Sequence, residues 1–313
     1  MAIDVSGLTK SYGQRRAIDA LDLQVEGGSV VGFLGPNGAG KTTLIRVLST
    51  MLQADRGSFT VAGIPHTNPV EIRRRVGVLP ESAGYLEGQT GEETLVFHAR
   101  LFGVALHEAH RRAAALLAEV GLADRAQSLV RSYSRGMRQR LGIARALVSQ
   151  PEVLFLDEPT LGLDPAGQRQ VLGLVAAAAR GHGVTVMLST HLLAEVEEVC
   201  DRVVILNQGR VVADGTVREV AERASAPRHA TIRVAPGSAD AAMAALASLQ
   251  DLSTVSPGVG ADELILELAD RTANEADGSR VLRTLLDAGV PIVAFDLEGG
   301  RLSDAFLALT APT

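Results

Sequence analysis

Two short stretches carry residue types and spacings that chemistry could use. GPNGAGKTT, residues 35–43, fits GxxxxGK[ST] and follows the apolar run VVGFL at 30–34. In that pattern glycines let backbone N–H groups converge on a phosphate without side-chain obstruction. The helix opening at Thr42 adds positive potential, Lys41 reaches terminal phosphates, and the Thr42 hydroxyl can ligate Mg²⁺. The second stretch, VLFLDEP at 153–159, ends an apolar run in Asp157 and Glu158. Neighbouring side chains leave a strand on opposite sides, so the two carboxylates can take different tasks. Beside a phosphate loop, Asp157 would hold Mg²⁺ through water and Glu158 would orient or deprotonate an attacking water. A third stretch, YSRGMRQRL at 133–141, sets a serine and a glycine among arginines at what reads as a helix start. Ser134 is a good N-cap type and Gly136 permits close backbone approach.

Elements of α/β type must position these groups. VVGFL, VLFL at 153–156 and VTVMLS at 184–189 are short apolar runs of the kind buried in parallel sheets. Helical patterns lie between them, including TLIRVLSTML at 43–52 and RRAAALLAEVG at 111–121. Residues from about Gly84 to Val148 are mostly helical in pattern and read as an insertion between two core strands. A linker at 223–228, within the alanine-, serine- and proline-rich ERASAPRH, separates a first domain over 1–222 from a second over 229–313. In the second, HATIRV, a weak strand near 252–256, ELILEL and PIVAFDL alternate with ADAAMAALASL and SRVLRTLLDAG, followed by a last helix, LSDAFLALT. That order is βαββαβ, the split arrangement of small ferredoxin-like α+β domains.

Net charge is −6 over 313 residues, which argues against a general nucleic-acid binder. From Ala226 onward there are 6 Lys and Arg against 12 Asp and Glu, which leaves 24 of each before that point. The second part therefore carries the whole acid excess, suited to a soluble surface or to steering a basic partner. Lys10 and Lys41 are the only lysines in an arginine-rich chain, so a lysine at 41 invites a specific reason. A single cysteine, Cys200, rules out an internal disulfide and reads as a small buried hydrophobe. His98, His107 and His110 lack the spacing of a zinc helix and are assigned to solvent. No run is long enough to span a membrane and no signal peptide is evident, so a cytosolic protein that reaches a membrane through a partner is expected.

Together these motifs, in this order over residues 1 to about 222, resemble the nucleotide-binding subunit of an ATP-binding cassette (ABC) transporter. The resemblance implies a P-loop core with an N-terminal antiparallel β part and an inserted helical subdomain. It implies that Tyr12 stacks on adenine, that Gly35, Pro36, Asn37, Gly38, Ala39, Gly40, Lys41, Thr42 and Thr43 cradle the phosphates of ATP, and that Asp157 and Glu158 are the magnesium-side aspartate and catalytic glutamate. Asp164 in LGLD would belong to the loop joining two active sites, and His191 would be a switch histidine on the γ-phosphate. Ser134, Arg135, Gly136 and Met137 fall where the family places its LSGGQ signature, which receives ATP held by a second copy of the cassette.

Arg135 and Met137 depart from that signature, and Leu161 replaces the usual small residue of its loop. Glu81 stands where the family has a glutamine touching magnesium, and a carboxylate can also ligate Mg²⁺. These forms look like cassettes of the ABC-2 exporter group, which export drugs, lipids or polysaccharides. An ATPase that pairs with a multi-span permease is the leading reading, with Tyr85 and Leu86 as apolar anchors for it. Arg135 is expected either to reach the shared phosphate or to face solvent. A soluble cassette without a permease, as in iron–sulfur assembly, is the alternative. A purely regulatory cassette is disfavoured by the intact Lys41, Asp157, Glu158 and His191. The second domain is expected to be a dimerising or regulatory addition.

Overall fold

A computed structural model describes residues 1–223, 229–247, 249, 252–258, 260, 262–268, 275–298 and 302–310. The chain divides into two compact units, Met1–Val217 and Arg218–Thr313. Of the linker expected at 223–228, Arg223 closes a helix and 224–228 lie outside the described residues.

The first unit runs β1 (Ile3–Tyr12), β2 (Arg15–Val25), β3 (Val30–Leu34), α1 (Lys41–Leu48), β4 (Arg56–Val61), β5 (Ile64–Pro65), α2 (Pro69–Arg75) and β6 (Val76–Leu79). It continues through α3 (Gly91–Leu101), α4 (Leu106–Glu119), α5 (Arg135–Leu147), β7 (Val153–Asp157), α6 (Pro165–His182), β8 (Thr185–Ser189), α7 (Leu193–Val199), β9 (Arg202–Asn207) and β10 (Arg210–Thr216). One sheet is antiparallel in the order β2-β1-β4-β5. The other has the order β10-β9-β3-β8-β7-β6, parallel except for the β10–β9 pair.

β3, β7 and β8 are buried along their whole length, as their uninterrupted apolar runs require of strands covered on both faces. Alternation along β7 divides them between two cores: Val153 and Phe155 join the core shared with the antiparallel sheet and α1, while Leu154 and Leu156 join the core shared with α3, α4 and α5. The register β3–β8–β7 places Leu34, Ser189 and Asp157 at neighbouring strand ends, so the loops that follow converge.

The helical pattern over 43–52 overruns the helix, which stops at Leu48. Ser49 Oγ donates to the Ile45 carbonyl at 2.7 Å, and Thr50 turns to a φ of +61°. The expected insertion is α3, α4 and α5. Thr90 and Glu93 close a reciprocal cap on α3, at 3.1 Å and 2.8 Å.

The second unit continues from α8 (Val217–Arg223) through β11 (His229–Val234), α9 (Ala239–Leu246), β12 (Leu252–Pro257), β13 (Glu263–Leu268), α10 (Glu275–Asp287), β14 (Ile292–Glu298) and α11 (Leu302–Thr310). Its antiparallel sheet has the order β12-β13-β11-β14, the strand order of a ferredoxin-like split βαββαβ. Ala230, Ile232, Leu264, Leu266, Leu246 and Leu285 are central to its core. Among the described residues no helix is long and apolar enough to cross a membrane.

Candidate active site

After β3 the chain turns through residues 35–40 into α1. Gly40 stands at the N-cap of α1 with φ +113°, a conformation that side chains rarely adopt, and a methyl group there would lie 2.4 Å from the Ala17 carbonyl oxygen. No side chain caps α1, so the N–H groups of its first turn face outward with the dipole behind them. Gly35 and Pro36 act through their carbonyls, which accept from Lys41 Nζ at 2.6 Å and from the Ala39 N–H at 3.0 Å. Residues 37–43 line a cavity of about 650 Å³ with Tyr12, Arg15, Glu81, Glu158, Leu161 and His191.

Lys41 is 7% exposed, with Nζ 3.9 Å from Glu158 Oε1. Burial lowers its pKa below the ordinary lysine value, and the negative charges of Glu158 and Asp157 oppose that shift. Asp157, only 2% exposed, accepts from the Thr42 hydroxyl at 3.0 Å and from the Ser189 hydroxyl at 2.6 Å. Glu158 has φ +49°, rare for a residue with a side chain and costing roughly 1–3 kcal/mol. Two acceptors hold it there, since its N–H donates to the carbonyl and the hydroxyl of Ser189, both at 3.1 Å. On the other side His191 Nδ1–H donates to Glu158 Oε2 at 2.8 Å. A ring so engaged offers a second donor, at Nε2, only as the imidazolium.

The structure thus brings residues 37–43 of the phosphate loop, Tyr12, Glu81, Glu158 and His191 to one cavity, with Asp157 buried behind it on the Thr42 hydroxyl. Ser134 caps α5, its Oγ accepting from the Met137 N–H at 3.2 Å, but among the described residues none of Ser134, Arg135, Gly136 and Met137 lines that cavity. Asp164 caps α6 by accepting from the Gly167 N–H at 3.3 Å. Leu161 forms part of the cavity wall. His98 corrects the expectation of solvent: it is half-buried, its Nδ1 donating to the Thr94 carbonyl at 2.7 Å, and burial lowers its pKa. His107 and His110 are exposed. Tyr85 is engaged within the fold, its hydroxyl donating to the Arg138 carbonyl at 2.6 Å and Arg145 lying over its ring, which leaves Leu86 the exposed member of that pair.

Sequence reasoning missed Ser189 and Arg15. Among the described residues Ser189 is the one hydroxyl that links the two carboxylate positions, and its signal was a polar residue closing a buried strand. Arg15 donates to the Gly38 carbonyl at 3.0 Å from the cavity wall.

A glycine-lined helix start, a buried lysine and two carboxylates of separate partnership define a P-loop nucleoside triphosphatase. The ABC transporter family model matches residues 18–161. Over 310 residues the chain is 40% identical to the daunorubicin/doxorubicin resistance ATP-binding protein DrrA of Streptomyces peucetius, covering 99% of this chain and 92% of that protein. It is 39% identical over 215 residues to the bacitracin transport ATP-binding protein BcrA of Bacillus licheniformis, covering 68% of this chain and 69% of that one. A solved ATP-binding subunit of an ABC transporter superposes with a TM-score of 0.65 at 32% identity, covering 71% of this chain and 93% of that one. The chain belongs to the ABC transporter family as an ATP-binding, ATP-hydrolysing subunit of exporter type. Cassettes of this family dimerise and work with membrane permeases.

Proposed function

We propose that this cavity hydrolyses ATP with Glu158 as the base, and that a pair of these chains drives a permease exporting an amphipathic antibiotic. The observation that carries the reading is the setting of Glu158, fixed from one side by Ser189, from the other by His191, with Lys41 Nζ 3.9 Å from its Oε1. Lys41 and the N–H groups of residues 38–43 bind the phosphates, Tyr12 at the cavity edge stacks on the base, and Arg15 adds a cation beside Gly38. His191 senses the terminal phosphate. Thr42 Oγ1 and Asp157 Oδ1, 3.0 Å apart, with Glu81 on the cavity that Thr42 lines, form an all-oxygen set that suits Mg²⁺. The ion, when bound, neutralises phosphate charge, while this chain's residues align the water and accept its proton.

Ser134 and Gly136 receive the ATP of the second copy. The permease is proposed to dock at a groove of about 320 Å³ lined by Met51, Val78, His98, Phe102 and Arg145, with the exposed Leu86 as a further apolar anchor. That contact places the chain on the cytoplasmic face of a membrane. Daunorubicin, doxorubicin and bacitracin resistance or transport in the relatives supports an amphipathic antibiotic as cargo. A Glu158→Gln chain is expected to bind ATP, to lose about a hundredfold or more in turnover, and to elute as a dimer with ATP. Undiminished turnover would refute the assignment of the base. Failure of the tagged chain to bring down a multi-span protein from native membranes would refute the permease.

A further inference from the structure

We propose that Arg135 is a positioning residue: its guanidinium presses on Gly162 and holds the 161–164 loop, and through it Glu158, against the start of α5. Gly162 has φ +71°, and a methyl group built on it would stand 2.6 Å from Arg135 Cζ and 2.8 Å from each of Nη1 and Nη2. Near-equal distances to the carbon and both terminal nitrogens place the glycine over the face of the guanidinium plane, not at its edge. Arginine presents such a plane and lysine does not. Glycine leaves room for it, whereas any side chain at 162 would displace it.

The contact belongs to a continuous set. A methyl on Gly136 would lie 3.9 Å from Leu163 Cδ2, and Met137 and Leu163 pack against the same core. Within the loop, the Leu161 N–H donates to the Glu158 carbonyl at 3.2 Å and the Leu163 N–H to the Thr160 carbonyl at 3.1 Å. Leu161 itself lines the cavity that holds Glu158. Gly162 therefore sits one residue past the bond that closes the turn on Glu158, a residue whose own φ of +49° depends on its surroundings. An arginine at 135 and a glycine at 162 are one device, which ties the helix start offered to a second copy to the base of this chain's own site.

The inference rests on the proposed role of Glu158. Steady-state ATPase kinetics of the full-length chain test it. Arg135→Gly is expected to lower kcat about tenfold with KM for ATP within about twofold, and Arg135→Lys, which keeps the charge without the plane, to match it. Gly162→Ala displaces the guanidinium and adds left-handed strain, so it too lowers kcat. In the Gly162→Ala background, Arg135→Gly should then cause no further loss. An equal factor of loss in both backgrounds would overturn the pairing, as would unchanged kcat for Arg135→Gly alone. A raised KM at unchanged kcat would put the guanidinium on a substrate phosphate and overturn it as well. If Glu158→Gln abolishes turnover while the two backgrounds are additive, the base stands and this inference alone fails.

Discussion

Replacing Ser189 by alanine isolates a hydroxyl that motif reading does not mark. It removes the donor 2.6 Å from Asp157 Oδ1 and one of the two acceptors of the Glu158 N–H. A hydrogen bond to a charged group contributes roughly 1.5–3 kcal/mol, and Asp157 at 2% exposure has little water to replace it. The Glu158 N–H keeps the Ser189 carbonyl at 3.1 Å, so its share of the loss is about 0.5 kcal/mol. The sum is about 2–3.5 kcal/mol. The chain has no tryptophan, and its 3 tyrosines, Tyr12, Tyr85 and Tyr133, all lie in the first unit, so tyrosine fluorescence follows that unit's unfolding alone. With an m-value of about 3 kcal/mol/M, the urea midpoint should fall by about 0.7–1.2 M. ATP turnover should fall with it, because Glu158 loses part of its hold. A midpoint within about 0.2 M of the parent would show that Asp157 is satisfied without Ser189, and would refute the argument.

Gly40→Ala must force a side chain into φ +113° and against the Ala17 carbonyl, so nucleotide binding should be lost with at least about 2 kcal/mol of stability, read by ATP titration and urea unfolding. Wild-type ATP affinity in that variant would mean that the loop adopts another path. Cys200 is half-buried with its Sγ toward Gly32, and desolvation, with Asp201 and Glu195 nearby, pushes its pKa up to about 12. At pH 8 the native thiol should therefore react with a disulfide reagent about a thousandfold more slowly than free cysteine, and at the ordinary rate in denaturant. Rapid labelling of the native chain would contradict that burial.

What was legible in the sequence had local causes. VVGFL, VLFLD and TVMLS announce strands because burial on both faces leaves no polar position until the strand ends, and there the carboxylates and the glycine loop begin. The βαββαβ order of the second unit is legible for the same reason: each strand and helix shows its own period. Ser189 escaped because its meaning depends on Asp157 and Glu158, brought beside it only by the β7–β8 register. Arg15 depends likewise on a contact with Gly38 across the antiparallel sheet and the phosphate loop. The overrun of α1 had a local cause of another kind: Ser49 bonds back to its own backbone, an alternative that apolar spacing does not record. Arg135, expected at a phosphate or in solvent, is exposed, and what its spacing could not show is that its guanidinium also lies against Gly162.

The arrangement of the α1 and α5 starts supports the proposed pairing. α1 opens into the cavity with Lys41 and Glu158, whereas α5 opens at Ser134 and, among the described residues, adds nothing to that cavity. Under the proposed pairing, a γ-phosphate held by Lys41 would meet the α5 start of a second copy, and two-fold symmetry would make the exchange mutual. Within one chain, the loop from Glu158 to Asp164 runs from the proposed base to the cap of α6 and carries Gly162 under Arg135 midway. Engagement at one chain's α5 and alignment of that same chain's base thus share a mechanical element. On the two proposals together, closure on ATP in one site would bear on the geometry of hydrolysis in the other.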